Sequence, residues 1–229
     1  MKLDLIQEYL PEMVFKEPCL PILREKKGTC LTIDPLNEKN YFITKELTEQ
    51  VIESKIQALS FFSGAGGLDI GAQLAKAKVI SSHDFDKDSI ATLSNNNFFN
   101  HTKHNLGNIT DTDALLFKET IKTNNPEKLI MIGGPPCQPF SKAGYWLTLK
   151  NRLSHEDPRN MIGHYLKLVS DIRPDGFILE NVESLLHPHN KFAVDNLVEA
   201  IDKLGFKLKL IRANSADYGV PQKRKRVFF

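Results

Sequence analysis

From residue 56 onward the chain alternates between two kinds of apolar pattern. Short unbroken runs stand at Ala58–Phe62, Val79–Ser82, Leu129–Ile132, Phe177–Leu179 and Leu208–Ile211. Such runs suit strands buried on both faces. Between them lie Leu68–Ala77, Asp88–Asn96, Asp113–Lys122, Met161–Ile172 and Lys191–Leu204, which read as helices. Strand alternating with helix predicts parallel pairing, right-handed crossovers and helices on both faces, hence a doubly wound, mostly parallel α/β sheet. Ligands of such sheets sit beyond the carboxyl ends of the strands. The residues just after each apolar run are therefore the candidates for chemistry.

Residues 1–55 lack this rhythm. They hold four prolines by Pro35 and then a polar amphipathic run over 44–55, and they read as an N-terminal extension without an assigned role. Residues 56–229 carry the rhythm and are expected to form the one unit that bears the chemistry. A hydrophobic share of 41% with 25% charged residues excludes a disordered or fibrous chain. No stretch approaches the roughly 18 apolar residues a membrane span needs. Asp4 and Glu8 interrupt the start where an export signal would be apolar. Three cysteines, Cys19, Cys30 and Cys137, are too few for a disulfide framework and fit a reducing, cytoplasmic setting.

Charge alters the picture only locally. Lys and Arg number 30 against 28 Asp and Glu, without the basic excess of a free-standing duplex binder. The exception is Lys223-Arg224-Lys225-Arg226, which reads equally as a solvated tail.

The strand ends carry the signal. Phe62-Ser63-Gly64-Ala65-Gly66-Gly67 is a glycine-rich turn into a helix, suited to NAD, FAD or S-adenosylmethionine and also to a plain tight turn. His83-Asp84-Phe85-Asp86 offers a carboxylate for ribose hydroxyls and a ring for an adenine face; the plainer reading makes Asp86 a helix cap and Phe85 core. Gly133-Gly134-Pro135-Pro136-Cys137-Gln138-Pro139 places a cysteine in a stiff polar loop, the setting a nucleophile needs. Glu180-Asn181-Val182 puts a carboxylate at the end of the next run, placed for acid work or for capping. No Cys-x-x-Cys or His/Cys cluster supports a metal, and His187 and His189 read as surface loop.

In this order these segments resemble the C5-cytosine DNA methyltransferases. The matching features are Phe-x-Gly-x-Gly at 62–66, Pro-Pro-Cys-Gln-Pro at 135–139, Asp-Pro-Arg at 157–159, Glu-Asn-Val at 180–182 and Gln-Lys-Arg-x-Arg at 222–226. Asp217-Tyr218-Gly219-Val220-Pro221 leads into the last of these. The resemblance implies a Rossmann-like S-adenosylmethionine-dependent methyltransferase fold acting on a flipped cytosine in double-stranded DNA, within a restriction–modification system. It implies Cys137 as the nucleophile at C6, Glu180 hydrogen-bonded to N3 and the exocyclic amine, Arg226 on O2, and Arg224 with Gln222 supporting the site or the DNA. A protonated Glu180 would need a raised pKa in a dry pocket. S-adenosylmethionine would be held by Phe62, Gly64, Ala65 and Gly67 at its methionine end, Asp84 at the ribose and Phe85 on the adenine. Asn108 and Ile109 would meet the adenine edge, with Gly134 and Pro136 near the methyl group, and no metal is expected.

Two departures stand out. Asp84 replaces the family's frequent Glu, and Asn108 stands where the family usually has Asp, an acceptor without charge assistance. The family also continues with a further strand, a target-recognition region and a closing helix, whereas this chain stops at Phe229 within an apolar run. A split enzyme with a second subunit and a truncated fragment both fit that ending. RNA cytosine methylation and an inactive cofactor-binding module are the alternative functions.

Overall fold

The computed structural model describes residues 54–136, 160–218 and 220–229. Within them, the strands are β1 (Ile56–Phe61), β2 (Lys78–Asp84), β3 (Lys103–Leu106), β4 (Lys128–Gly133), β5 (Gly176–Val182), β6 (Ile211–Asn214) and β7 (Lys225–Phe228). They form one sheet in the order β3-β2-β1-β4-β5-β7-β6. The strands from β1 to β5 pair in parallel, while β7 runs antiparallel to both β5 and β6. The helices are α1 (Gly67–Leu74), α2 (Lys87–Ser94), α3 (Leu115–Asn124), α4 (Met161–Ile172) and α5 (Lys191–Lys203).

Alternation along β1 sorts the core into two layers. Leu59 and Phe61 join the larger cluster, where Phe117 of α3, Tyr165, Leu168 and Val169 of α4, and Leu197 and Ile201 of α5 are buried. Ala58 points the other way, with Val79 and Ile132, under Leu68 and Ala72 of α1. Helices thus cover both faces, as the strand–helix rhythm predicts. The chain winds from β1 outward through β2 to β3, then returns to add β4 and β5 on the opposite side. The direction of winding reverses between β1 and β4, the crevice where sheets of this kind hold ligands.

Two expectations needed correction. The strand expected at Leu208–Ile211 lies at Ile211–Asn214, because β6 exists only where it can pair with Lys225–Phe228. Leu208 and Leu210 instead pack against the larger core without a ladder. The four residues of β3, Lys-His-Asn-Leu, were unforeseen; as an edge strand paired only to β2, they need no apolar run. The strand expected to begin at Val227–Phe229 is β7, built antiparallel. The N-terminal extension falls almost wholly outside the described residues.

Candidate active site

The turn after β1 is backbone-strained and tightly held. Phe62, Gly64 and Gly66 have φ of 55°, 52° and 88°, three left-handed residues within five. At Gly66, the N-cap of α1, a Cβ would lie 2.7 Å from Leu93 Cδ2 and 2.8 Å from Phe99 Cζ, so no larger residue fits. At Gly64 and Gly67 a Cβ would meet nothing within 4 Å, leaving that side of the turn open. The Gly64 N–H donates to Asp84 Oδ2 at 2.8 Å, and Asp84 Oδ1 accepts from the Asp86 N–H at 2.9 Å. Asp84 therefore ties the glycine turn to the end of β2, while a carboxylate retains lone pairs for a further donor.

Both readings of the next residues find a place. Asp86 caps α2, accepting from Ser89 N at 2.9 Å and Ser89 Oγ at 2.6 Å. These hydrogen bonds hold its carboxyl below the usual range. Phe85 is not core: it is 73% exposed beside the open turn. Its ring face is therefore available to a planar ligand. Ala65 is exposed, and Phe62 is half-buried against the core. Asn108 is exposed, but its Oδ1 accepts from Thr110 N at 3.2 Å as the cap of a short 3-10 turn that buries Ile109.

Across the crevice, β4, β5 and β7 assemble the second group. Glu180 Oε1 lies 2.8 Å from Arg226 Nε, in side chains 23% and 21% exposed. The antiparallel register sets Arg226 opposite Val182, and from there its side chain reaches back along the same face to Glu180. Arg226 Nη1 donates to the carbonyl of Lys225, which fixes the guanidinium further. A Cβ at Gly134 would approach Glu180 Oε2 to 3.0 Å, so the glycine admits that carboxyl. The buried Asn181 donates through Nδ2 to the Pro135 carbonyl at 3.1 Å, pinning the segment that leads past Pro136 to residue 137. Below it, Gly133 lets the buried Tyr165 ring approach; a Cβ there would be 2.7 Å from Cε2, and the Tyr165 hydroxyl donates to the Ile178 carbonyl.

Several candidates remain apart. Cys137, Asp157–Arg159, Cys19 and Cys30 lie outside the described residues. Arg224 has an exposed side chain, and only its carbonyl is held, by Ser215. His187 and His189 stack in an exposed turn, and no group of three or more His, Cys, Asp or Glu able to hold a metal occurs among the described residues. No helix among them is long and apolar enough to cross a membrane.

Sequence reasoning missed a buried polar cluster under the glycine turn. Asp69 of α1 is fully buried, accepting from Ser60 Oγ at 2.8 Å and Ser82 Oγ at 2.6 Å. Burial pushes its pKa upward against the lowering effect of both serines. One turn on, Gln73 is equally buried, with neither amide atom hydrogen-bonded. The only sequence signal was polar residues at 69 and 73 on what should be an apolar helix face.

The description C-5 cytosine-specific DNA methylase matches residues 56–229. Type II methyltransferase M.SacI of Streptomyces achromogenes is 34% identical over 188 residues, covering 76% of this chain and 47% of its own length. M.NgoPII of Neisseria gonorrhoeae is 35% identical over 176 residues, with the same 76% and 47% coverage. M.AquIA of Picosynechococcus is 34% identical over 179 residues, a match that spans 74% of this chain and 69% of that relative. A crystal structure of a prophage-encoded DNA modification methyltransferase from E. coli superposes with a TM-score of 0.61 at 29% identity, covering 76% of this chain and 45% of that one. The chain thus spans about half the length of most of these relatives.

Proposed function

This chain belongs to the C-5 cytosine-specific DNA methylase family, and on that premise we propose that it carries the catalytic part of an enzyme that methylates C5 of a flipped cytosine in double-stranded DNA, within a restriction–modification system. The observation that carries the reading is the Glu180–Arg226 pair beside Gly134 and Pro135. An acid and a guanidinium from strands 46 residues apart share one face at the carboxyl end of the sheet. There they can grip the polar edge of a pyrimidine.

The residues present fit S-adenosylmethionine. The open side at Gly64 and Gly67 admits a ligand close to the backbone, Asp84 has capacity for a ribose hydroxyl, and Phe85 offers an uncovered ring for the adenine. Gly134 lies against the Glu180 carboxyl, and Pro136 follows it by two residues. Asn108 Oδ1 accepts from Thr110 and keeps a second lone pair, so Asn108, with Ile109, can still meet the adenine edge. When bound, S-adenosylmethionine supplies an electrophilic methyl group on a sulfonium.

The chain's own residues do the rest. The Cys137 thiolate adds to cytosine C6, and the ring's electrons move toward C5 and N3. Glu180 holds N3 and the exocyclic amine and stabilises the charge that develops there. Arg226 orients Glu180 and holds O2, while Arg224 is free to meet the DNA backbone. Once C5 carries the methyl group, its proton leaves to a base and the Cys137 sulfur is eliminated, restoring aromaticity. Target recognition requires polypeptide beyond the described sheet, supplied by a second subunit or by a longer form of the protein.

Duplex DNA carrying 5-fluorocytosine tests the reading. Fluorine cannot leave C5 as a proton does, so the complete enzyme with S-adenosylmethionine should form a covalent adduct, lost in Cys137→Ser. No adduct with Cys137 intact would overturn the proposal. An adduct on RNA alone would reassign the substrate.

A further inference from the structure

An aspartate in the first turn of a helix is ordinarily explained by the helix dipole, and it stays in water. Asp69 does not. It is fully buried beneath the glycine turn, with no cationic side chain among its hydrogen-bond partners. A buried carboxyl of this kind costs stability unless its hydrogen bonds are well made, and such clusters rigidify what they join.

What it joins divides into two arms. Through Oδ1 it accepts from Ser82 in β2, and that contact ends there. Through Oδ2 it accepts from Ser60, the next-to-last residue of β1. The second arm continues: Ser63 Oγ donates to Ser60 Oγ at 3.0 Å, in preference to the His83 carbonyl at 3.4 Å, and accepts from the His83 N–H at 3.2 Å, while Ser63 N–H donates to the His83 carbonyl at 3.3 Å. Ser63 sits between the left-handed Phe62 and Gly64, and the Gly64 N–H points to Asp84. Hydroxyls in series thus run from a buried carboxylate into the strained turn.

We propose that Asp69 is a positioning residue for the cofactor turn, acting through Ser60 and Ser63 to hold residues 62–66 in the conformation that receives the ligand. This rests on the reading of that turn as the S-adenosylmethionine site. The Ser60 arm transmits the constraint, and the Ser82 arm anchors the carboxylate.

The two arms supply the test. Asp69→Ala would strand two buried hydroxyls and risks unfolding the chain. Ser60→Ala and Ser82→Ala each delete one buried hydroxyl bonded to the same carboxylate, so both should lower Tm by similar amounts. S-adenosylmethionine affinity, by calorimetry, should fall about tenfold in Ser60→Ala, the size of one lost hydrogen bond, and stay within about twofold in Ser82→Ala. Amide hydrogen exchange at Gly64, without ligand, should accelerate in Ser60→Ala alone. Equal changes in the two variants, or none in either, would overturn the inference. A wild-type chain that fails to bind S-adenosylmethionine would overturn the cofactor reading instead, and Gly64 exchange would still decide the role of Asp69.

Discussion

The two sides of the crevice are built on opposite principles. On the β1–β2 side, Asp84, Asp69 and three serines are buried and spend their hydrogen bonds on the protein itself. On the β5–β7 side, Glu180 and Arg226 hold each other at 2.8 Å with about a fifth of each side chain in solvent. The first side resists deformation, as a turn with three left-handed residues must. The second is a pair of charges, strong enough to hold an orientation yet open enough to exchange its partner for a ligand. Rigidity sits where a backbone must keep its shape, and accessible charge where the proposed base contact needs it.

That contrast predicts separable losses. The largest effect should come from Glu180→Gln, which keeps the volume but removes the charge: methylation by the complete enzyme should fall at least about 100-fold, the usual scale for a lost acid–base group. The amide keeps the volume and can still accept from Arg226 Nε, so Tm should fall by only a few degrees. A large fall in Tm would show that this side is structural after all. Next comes Gly66→Ala, whose added carbon must displace Leu93 and Phe99 and adopt a φ of 88°. It should destabilise the fold by about 2–4 kcal/mol in denaturant titration, from overpacking and left-handed strain together. A neutral result would mean that the turn has slack.

The smallest effect is a pH dependence confined to the first side. Burial lowers the pKa of His83, His101 and His104 below the ordinary 6.5; Asp84 partly opposes this at His83, Lys78 and His104 add to it at His101, and the Phe99 backbone opposes it at His104. The unfolded chain then takes up protons first, so stability is full above pH 6.5 and declines as pH falls from 6.5 through the lowered values. Asp69 works in the opposite sense. Its raised pKa means that stability lost at higher pH returns as the pH drops toward 3.8. Thermal unfolding at about pH 5 should therefore show a lower Tm than near neutrality, and His83→Gln should reduce the difference. A pH profile that His83→Gln leaves unchanged would sink the assignment of the His83 ring as buried and neutral.

Much of this molecule is legible in its residues, for identifiable reasons. Helix α4 matches its apolar pattern residue for residue, because Ile162, Tyr165, Leu166 and Val169 line one buried face. The glycine turn and Glu180 are legible because strand ends in a parallel sheet are where backbone freedom and carboxylates have work to do. Strand β3 was illegible because an edge strand of polar residues carries no period. The role of Asp69 was hidden for a related reason. Its two partners lie nine and thirteen residues away in different strands, and only the parallel register of β1 and β2 brings their hydroxyls to one carboxyl. Asn108 could be read as an acceptor, but not that Thr110 would claim its oxygen, a competition settled by local backbone geometry.

The antiparallel pairing of β7 with β5 also has a bearing on how the protein is made. The strands that frame the glycine turn are complete by residue 133, while Glu180 must wait for Arg226 and for the Leu179–Phe229 backbone contacts that seat the final strand. On the ribosome, the half that carries the glycine turn can consolidate before the half that carries Glu180 and Arg226 has been synthesised. Arg226 follows Glu180 by 46 residues, so the turn and the strands around it can be in place well before the pair that faces them across the crevice.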